Sequence, residues 1–388
     1  MEWQHLVMSN SIVVSILTLS LVLVLSPHLS RLFRLPTAPI EIIIGSFLAF
    51  LGVLEAKESN FELVAHIGFL YLMFLAGLEV NLKSIMKMPK VYIRQSLYFI
   101  LILWCLALLF GLIFHLHMIL IVVLPLISIG ILATLSKEYG KEERWIKISF
   151  LVGSIGEVIS ILALTIFEAS SLVGFGEELF YKIVQLFGFM VVIIALYLFF
   201  RLLFWWYPEF KNILMPNDDG KYQDIRLAMG VFFIMIAIMK QLHLELAFGA
   251  FIAGLFISTF FHHKHELEEK MSSFGFGFLV PIFFVHVGAS FGLENIFIPQ
   301  VLITTAILLG AMFIIRVIAA YMLVSLIGKR DALLSGFALS MPLTLMIAVA
   351  TIGVEKEMIS DSDYYSVILA SLLEVIISMV SIKFLLKK

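Results

Sequence analysis

From residue 9 to residue 386 the chain is cut into apolar runs of membrane-crossing length, separated by short charged or Gly/Pro-containing stretches. A helix needs roughly 20 apolar residues to cross the hydrocarbon core. Runs of that kind fall at 9–27, 37–54, 62–80, 92–115, 118–136, 146–168, 179–206, 225–240, 243–261, 273–291, 298–326, 332–353 and 364–386. The eighth and ninth are separated only by Gln241 and Leu242. Composition says the same thing. Of 388 residues 62% are hydrophobic and 14% charged, against about 45–50% and about 25% in soluble domains. So much apolar surface must face lipid or other membrane helices. The sequence therefore predicts an all-α polytopic protein with about 13 transmembrane helices, forming one integral membrane domain over residues 1–388. A soluble enzyme, a disulfide scaffold and a disordered chain are all excluded. Cys105 lies in an apolar run and has no second cysteine to pair with. The formal charge of −2 carries no information about nucleic acid, and the expected partner is the lipid bilayer.

An odd number of crossings puts the termini on opposite sides. Of the 26 basic residues, 21 fall in one set of loops or run ends, four (Lys57, Lys182, Lys240 and Lys356) in the other, and Arg316 in neither. Cytoplasmic loops carry the excess of Lys and Arg, which predicts the N-terminus outside and the C-terminus in the cytoplasm. Met1–Asn10 has no Lys or Arg and no small-residue cleavage site follows, so the first run reads as a span rather than a signal peptide.

The chain also resembles itself. At an offset of 217, Pro125 falls on Pro342, Ala133 on Ala350, Thr134 on Thr351 and Glu138 on Glu355; the same offset takes Ser154 to Ser371 and Glu157 to Glu374. Shorter offsets relate Ile44-Gly-Ser-Phe-Leu-Ala to Phe248-Gly-Ala-Phe-Ile-Ala. Seven crossings separate the matched spans, so they run in opposite directions. This is an inverted-topology repeat, a layout of many secondary transporters. Repeat one covers about 1–170, a connector span about 179–206, and repeat two about 225–388.

Three charges lie near the middle of their spans: Glu157 on the sixth, Arg316 on the eleventh and Glu374 on the thirteenth. An intramembrane charge costs several kcal/mol or more, so it is paired, neutralised or in a wet cavity. A static Glu–Arg pair is the plain alternative to a transport site. Pro125 and Gly130 interrupt the fifth span and Pro342 the twelfth. Each proline removes a hydrogen bond and crowds the preceding turn, and the freed groups must be satisfied by protein, water or ions. Should the two breaks meet, their half-helix ends aim partial charges at one spot, with Ser128 and Thr344 beside them. An ordinary proline kink is the alternative for either break alone. His66 and His286 have no metal-ligand spacing and read as interhelical hydrogen bonders. His262, His263 and His265 read as a solvated loop. No Walker A, HExxH, dinucleotide-binding or haem motif is present, so neither ATP coupling nor a cofactor is expected.

His66-Ile-Gly-Phe-Leu-Tyr-Leu-Met-Phe-Leu-Ala-Gly-Leu-Glu-Val-Asn-Leu-Lys83 resembles the third-span signature of the monovalent cation:proton antiporter-2 family, and Phe248-Gly-Ala-Phe-Ile-Ala-Gly-Leu and Phe278-Leu-Val-Pro-Ile-Phe-Phe-Val-His-Val-Gly288 resemble two more. The similarity runs over nearly the whole chain. It implies a mobile core domain from spans 4–6 and 11–13, a dimerisation domain from the rest, crossed discontinuous helices in spans 5 and 12, elevator-like movement and a homodimer. Potassium-efflux relatives append a soluble nucleotide-binding domain; none is expected in this chain, which ends after the thirteenth span. The family's ion-binding acid falls on Glu157, where most relatives have aspartate. Electrogenic relatives carry a second acid at the position of Gly156. Their span-11 lysine falls on Arg316, and the threonine many have beside the span-5 break falls on Ile129.

The expectation is exchange of Na⁺ or K⁺ for H⁺ in the plasma membrane of a prokaryote. Glu157 is the shared cation and proton site, helped by Ser154, Ser128, Thr344 and freed carbonyls, while Arg316 and Glu374 balance charge. Arginine stays protonated, so one titrating acid predicts one-for-one, electroneutral exchange. The alternatives are an organic-anion transporter of related fold, with Arg316 holding a carboxylate, a non-transporting sensor or scaffold, and more weakly a channel.

Overall fold

The computed structural model describes residues 2–33, 35–54, 59–80, 88–140, 142–173, 177–207, 209, 222–242, 244, 246–261, 265–291 and 296–386. Residues 262–264, and with them most of the histidine loop, lie outside the described residues. Among the described residues the regular structure is helical throughout. We number the helices α1 (Glu2–Phe33), α2 (Thr37–Phe50), α3 (Ser59–Glu79), α4 (Lys90–Ile113), α5 (Met118–Val123), α6 (Gly130–Tyr139), α7 (Arg144–Val173), α8 (Glu177–Trp206), α9 (Gln223–Gln241), α10 (Leu246–Phe261), α11 (His265–Phe274), α12 (Val280–Ser290), α13 (Pro299–Ala320), α14 (Val324–Ala338), α15 (Leu343–Glu355) and α16 (Asp361–Leu386). Eight helical stretches among the described residues are long and apolar enough to cross a membrane, and α2 and α10 are shorter apolar helices. The protein is an all-α polytopic membrane protein. Each of the thirteen apolar runs coincides with one helix or with two helices in series.

Three runs are not simple rods. α5 and α6 divide the fifth, and α14 and α15 divide the twelfth. The tenth is α11 and α12 joined by a π-helical turn at Gly275–Leu279, with Pro281 just inside α12. Proline has no N–H to return to the preceding turn, and a widened turn just ahead of it absorbs the mismatch. α14 carries a further bend at Gly328, whose φ of 83° needs a residue without a Cβ.

The chain forms two compact units, Met1–Phe69 with Pro89–Glu157 and Phe276–Lys388, and Leu70–Met88 with Val158–Gly275. In each, glycines let two helices touch backbone to backbone. In the first, a Cβ on Gly45 of α2 would sit 2.2 Å from the Val285 carbonyl oxygen of α12, and one on Gly288 would sit 2.1 Å from that of Ile42. The Ser46 hydroxyl donates to the Gly288 carbonyl across this contact (2.7 Å). In the second, Gly77 of α3 and Gly254 of α10 meet Phe251 and Phe74 just as closely. Lipid tails are as apolar as leucine, so close backbone approach with its dispersion gain is what holds such helices together.

Candidate functional site

The two broken spans meet, and they do so around charges of opposite sign. In the fifth span α5 stops at Val123, residues 124–129 leave the helix, and α6 begins at Gly130. The released segment lies on a glycine face of α7. A Cβ on Gly153 would be 2.5 Å from Ile129 Cγ2, and one on Gly156 would be 2.5 Å from Ile127 Cδ1. In the twelfth span α14 stops at Ala338, Leu339–Met341 are non-helical, and Pro342 opens α15 as its N-cap, its carbonyl accepting from the Met346 N–H (2.9 Å).

The guanidinium of Arg316, on α13, takes up the carbonyls that these breaks set free. Nε donates to Leu339 O (3.1 Å), one terminal nitrogen to Leu124 O (2.9 Å) and Met312 O (3.3 Å), and the other to Leu126 O (2.6 Å). Leu124 and Leu339 are the C-caps of α5 and α14. Unsatisfied carbonyls give a helix C-terminus about half a negative charge. A fully buried cation between two such ends therefore has its countercharge built from backbone. Glu374, on α16, adds a carboxylate 3.9 Å away. That contact is an ion pair without a hydrogen bond, and neither Glu374 oxygen has a hydrogen-bond partner among the described residues. One turn further along α16, the Ser378 hydroxyl donates to Ser340 O in the second break (3.2 Å).

The N-terminal ends carry the opposite arrangement. A methyl placed on Gly130 would be 3.8 Å from Thr344 Cγ2, so the first turns of α6 and α15 are neighbours. Ser128 Oγ and Thr344 Oγ1 are hydrogen-bonded to one another at 2.8 Å, and Ser128 Oγ donates to Glu157 Oε1 at 3.1 Å. A hydroxyl has one proton to donate and can accept two. With the Ser128 proton on the carboxylate, Thr344 donates to Ser128, and the chain Thr344–Ser128–Glu157 runs in one direction. Glu157 has no exposed surface. Helix N-termini favour negative charge, so an anion is accommodated at this end of the breaks and a cation at the other.

The structure thus brings together Glu157, Ser128 and Thr344, and separately Arg316, Glu374 and both breaks. Ser154 is buried one turn before Glu157, and its hydroxyl does not join the hydrogen-bonded chain. The freed carbonyls expected to serve the transported cation are in part committed: those of Leu124, Leu126 and Leu339 face Arg316. Sequence reasoning missed this bracing, since a backbone carbonyl has no signature in a sequence. It also passed over Glu41, a buried acid on α2 that accepts from Ser26 of α1 (3.1 Å). Glu41 sits near the end of its run, where a charge attracts less notice, but Ser26 on the neighbouring run is a polar residue at matching depth. Gly156 is now explained in space. A second acid there would have to displace Ile127.

The family model for the transmembrane sodium/hydrogen exchanger matches residues 16–388. YjbQ of Bacillus subtilis (strain 168) is 29% identical over 98% of the chain, which spans 64% of that relative's length. The Na⁺/H⁺ antiporter of Enterococcus hirae is 24% identical, over 93% of this chain and 94% of that one. Among solved structures, the sodium proton antiporter MjNhaP1 from Methanocaldococcus jannaschii at pH 8 superposes with a TM-score of 0.70 at 16% identity, covering 97% of this chain and 99% of that one. At that identity the likeness is one of fold.

Proposed function

The chain belongs to the sodium/hydrogen exchanger family, and from that membership we propose that it is a secondary antiporter, exchanging a monovalent cation for a proton at Glu157. The observation that carries this reading is a carboxylate with no exposed surface, joined to two hydroxyls where two half-helix N-termini meet. Ionised, Glu157 offers its oxygens together with those of Ser128 and Thr344 to a cation stripped of water. Protonated, it is neutral and needs no cation. The two ligands compete for one group, and competition is sufficient for coupling when the empty, charged form does not cross.

Na⁺ is the cation that the relatives' names favour, and K⁺ is the second to test. Within the family, the signatures at residues 66–83, 248–255 and 278–288 support the monovalent cation:proton antiporter-2 branch. Exchange is one-for-one and electroneutral in this reading. Ile127 fills the space at Gly156, where electrogenic members of that branch carry a second acid, and Arg316 is committed to carbonyls rather than to a travelling proton. The offset repeat supports two inverted halves, with spans 4–6 and 11–13 moving as an elevator in a homodimer. The basic-residue count supports an outside N-terminus, and the family resemblance supports a prokaryotic plasma membrane.

The test is purified protein in liposomes with an internal pH dye, under imposed Na⁺ or K⁺ gradients at clamped voltage. Wild type should move protons in response to one or both cations, independently of voltage, and Glu157→Gln should not. Exchange that survives in Glu157→Gln would remove this residue from the centre of the mechanism.

A further inference from the structure

The second unit contains a cleft lined by none of the residues assigned above to exchange. Its volume is about 540 Å³, and it is walled by α7, α8, α9 and α10. Val158 of α7, Phe200 and Phe204 of α8, Val231 of α9, and Phe256 and Phe260 of α10 represent its lining. The aromatic rings form one surface, with Phe200 to Phe256 at 5.3 Å and Phe204 to Phe260 at 5.6 Å between centroids. Polar atoms contribute almost nothing to the walls; among the described residues the Tyr197 and Thr259 side chains carry the only hydroxyls there.

We propose that this cleft holds one acyl chain of an anionic phospholipid whose phosphate is met by Arg201. Three features converge on that occupant. The cleft lies among helices of a membrane protein, where the apolar material at hand is lipid hydrocarbon. Its length fits as well. On α8 the lining runs from Ile193 to Phe204, about 16 Å at 1.5 Å per residue, and one leaflet of a roughly 30 Å hydrocarbon core is about 15 Å deep. The third feature is charge. α8 ends in the exposed Trp205 and Trp206, and the exposed Tyr207 follows directly, a belt of the kind that marks headgroup depth. Arg201 lies one turn short of that belt, is exposed, and takes part in no ion pair or hydrogen bond among the described residues. A guanidinium at that depth snorkels toward the interface, where a lipid phosphate is the complementary group. Among the described residues no acid forms an ion pair with it, so its charge favours a lipid of net negative charge over a zwitterionic one. The lipid tail would touch Val158 and Leu162 and so pack against α7.

The experiment uses the full chain in liposomes containing a trace of phosphatidylglycerol with a photoreactive diazirine in its acyl chain. Adducts are mapped by mass spectrometry. Label should concentrate on the α8 and α10 segments that line the cleft. Unlabelled phosphatidylglycerol should compete it away and phosphatidylcholine should not. Arg201→Gln should weaken labelling about fivefold, the worth of one basic side chain at a lipid surface, and Val231→Phe should lower it by filling the cleft. Both variants are compared with wild type by size-exclusion profile and by labelling on α4, which a folded variant leaves unchanged. Even labelling of all lipid-facing helices, or equal competition by both lipids, would overturn the proposal. So would absence of lipid label from the cleft together with chain-to-chain cross-links through α8 formed by a bifunctional reagent, which would assign the cleft to a second copy.

Discussion

Glu157 and Glu374 occupy corresponding places in the two halves of the sequence and have acquired different surroundings. Both are fully buried, both lie on long helices, and each follows a serine by three residues. Glu157 ends a chain of two hydroxyls, whereas Glu374, among the described residues, has no hydrogen bond and a guanidinium at 3.9 Å. The cause is visible at the breaks. At the offset of 217, Ser128 corresponds to Leu345 and Thr344 to Ile127, so both hydroxyls fall on the Glu157 side. The breaks differ too. Pro125 lies near the start of the first, and four residues separate it from α6; Pro342 lies at the end of the second and opens α15 directly. The first break is long enough to reach α7 and present Ser128. At one shared offset, a few polar substituents give the two acids different surroundings, one beside two hydroxyls and the other beside a permanent cation.

The widest separation between the two acids should come from neutralising each in turn. Glu157→Gln should abolish cation-driven proton movement, while Glu374→Gln should keep it with the same cation preference; equal loss in both would end the distinction. Arg316→Met should come next. Removing one side of a buried pair costs about 3–5 kcal/mol, and here three break carbonyls lose their donor as well, so the variant should unfold at markedly lower temperature in detergent or fail to accumulate. Arg316→Lys should recover part of that loss, since an ammonium carries the charge but cannot span both breaks. Gly156→Asp should destabilise the fold by about 1–3 kcal/mol through overpacking on Ile127, and adding Ile127→Ala should relieve it; an Asp accepted without cost would mean that the space is there. The smallest effect on folding is expected for Ser128→Ala. Loss of one hydrogen bond to a charged group, about 1.5–3 kcal/mol at most, should raise the KM for the cation several-fold or more and leave folding nearly unchanged.

The prolines, the three midspan charges and the span pattern were legible because each is a side-chain property with a fixed physical meaning in a membrane. The extent of the first break was not. Ile127 and Ile129 are apolar and would continue a helix on pattern alone; what draws them out is the glycine face of α7 and the pull of Arg316 on Leu124 and Leu126. Arg316 was recognised as a charge needing a partner, yet acids were the only partners a sequence displays. The better part of its environment is backbone. The Ser154 hydroxyl, expected among the groups that help Glu157, lies outside the Thr344–Ser128–Glu157 chain, a distinction that only the folded geometry makes. Glycine pairs such as Gly45 and Gly288 act only in three dimensions, since neither announces its partner 243 positions away.

The bonds from Arg316 to Leu126 and Leu124 close over 190 and 192 residues of chain. At about 5–20 residues per second the ribosome delivers Arg316 roughly 10–40 s after the first break has been made. Through that interval the carbonyls of Leu124 and Leu126 have no donor from their own half, and bare hydrocarbon cannot supply one. The fifth span must therefore wait beside water or the insertion machinery, and it takes its final form only when the eleventh span arrives. The first break is among the earlier parts of this protein to be synthesised and among the last to be finished.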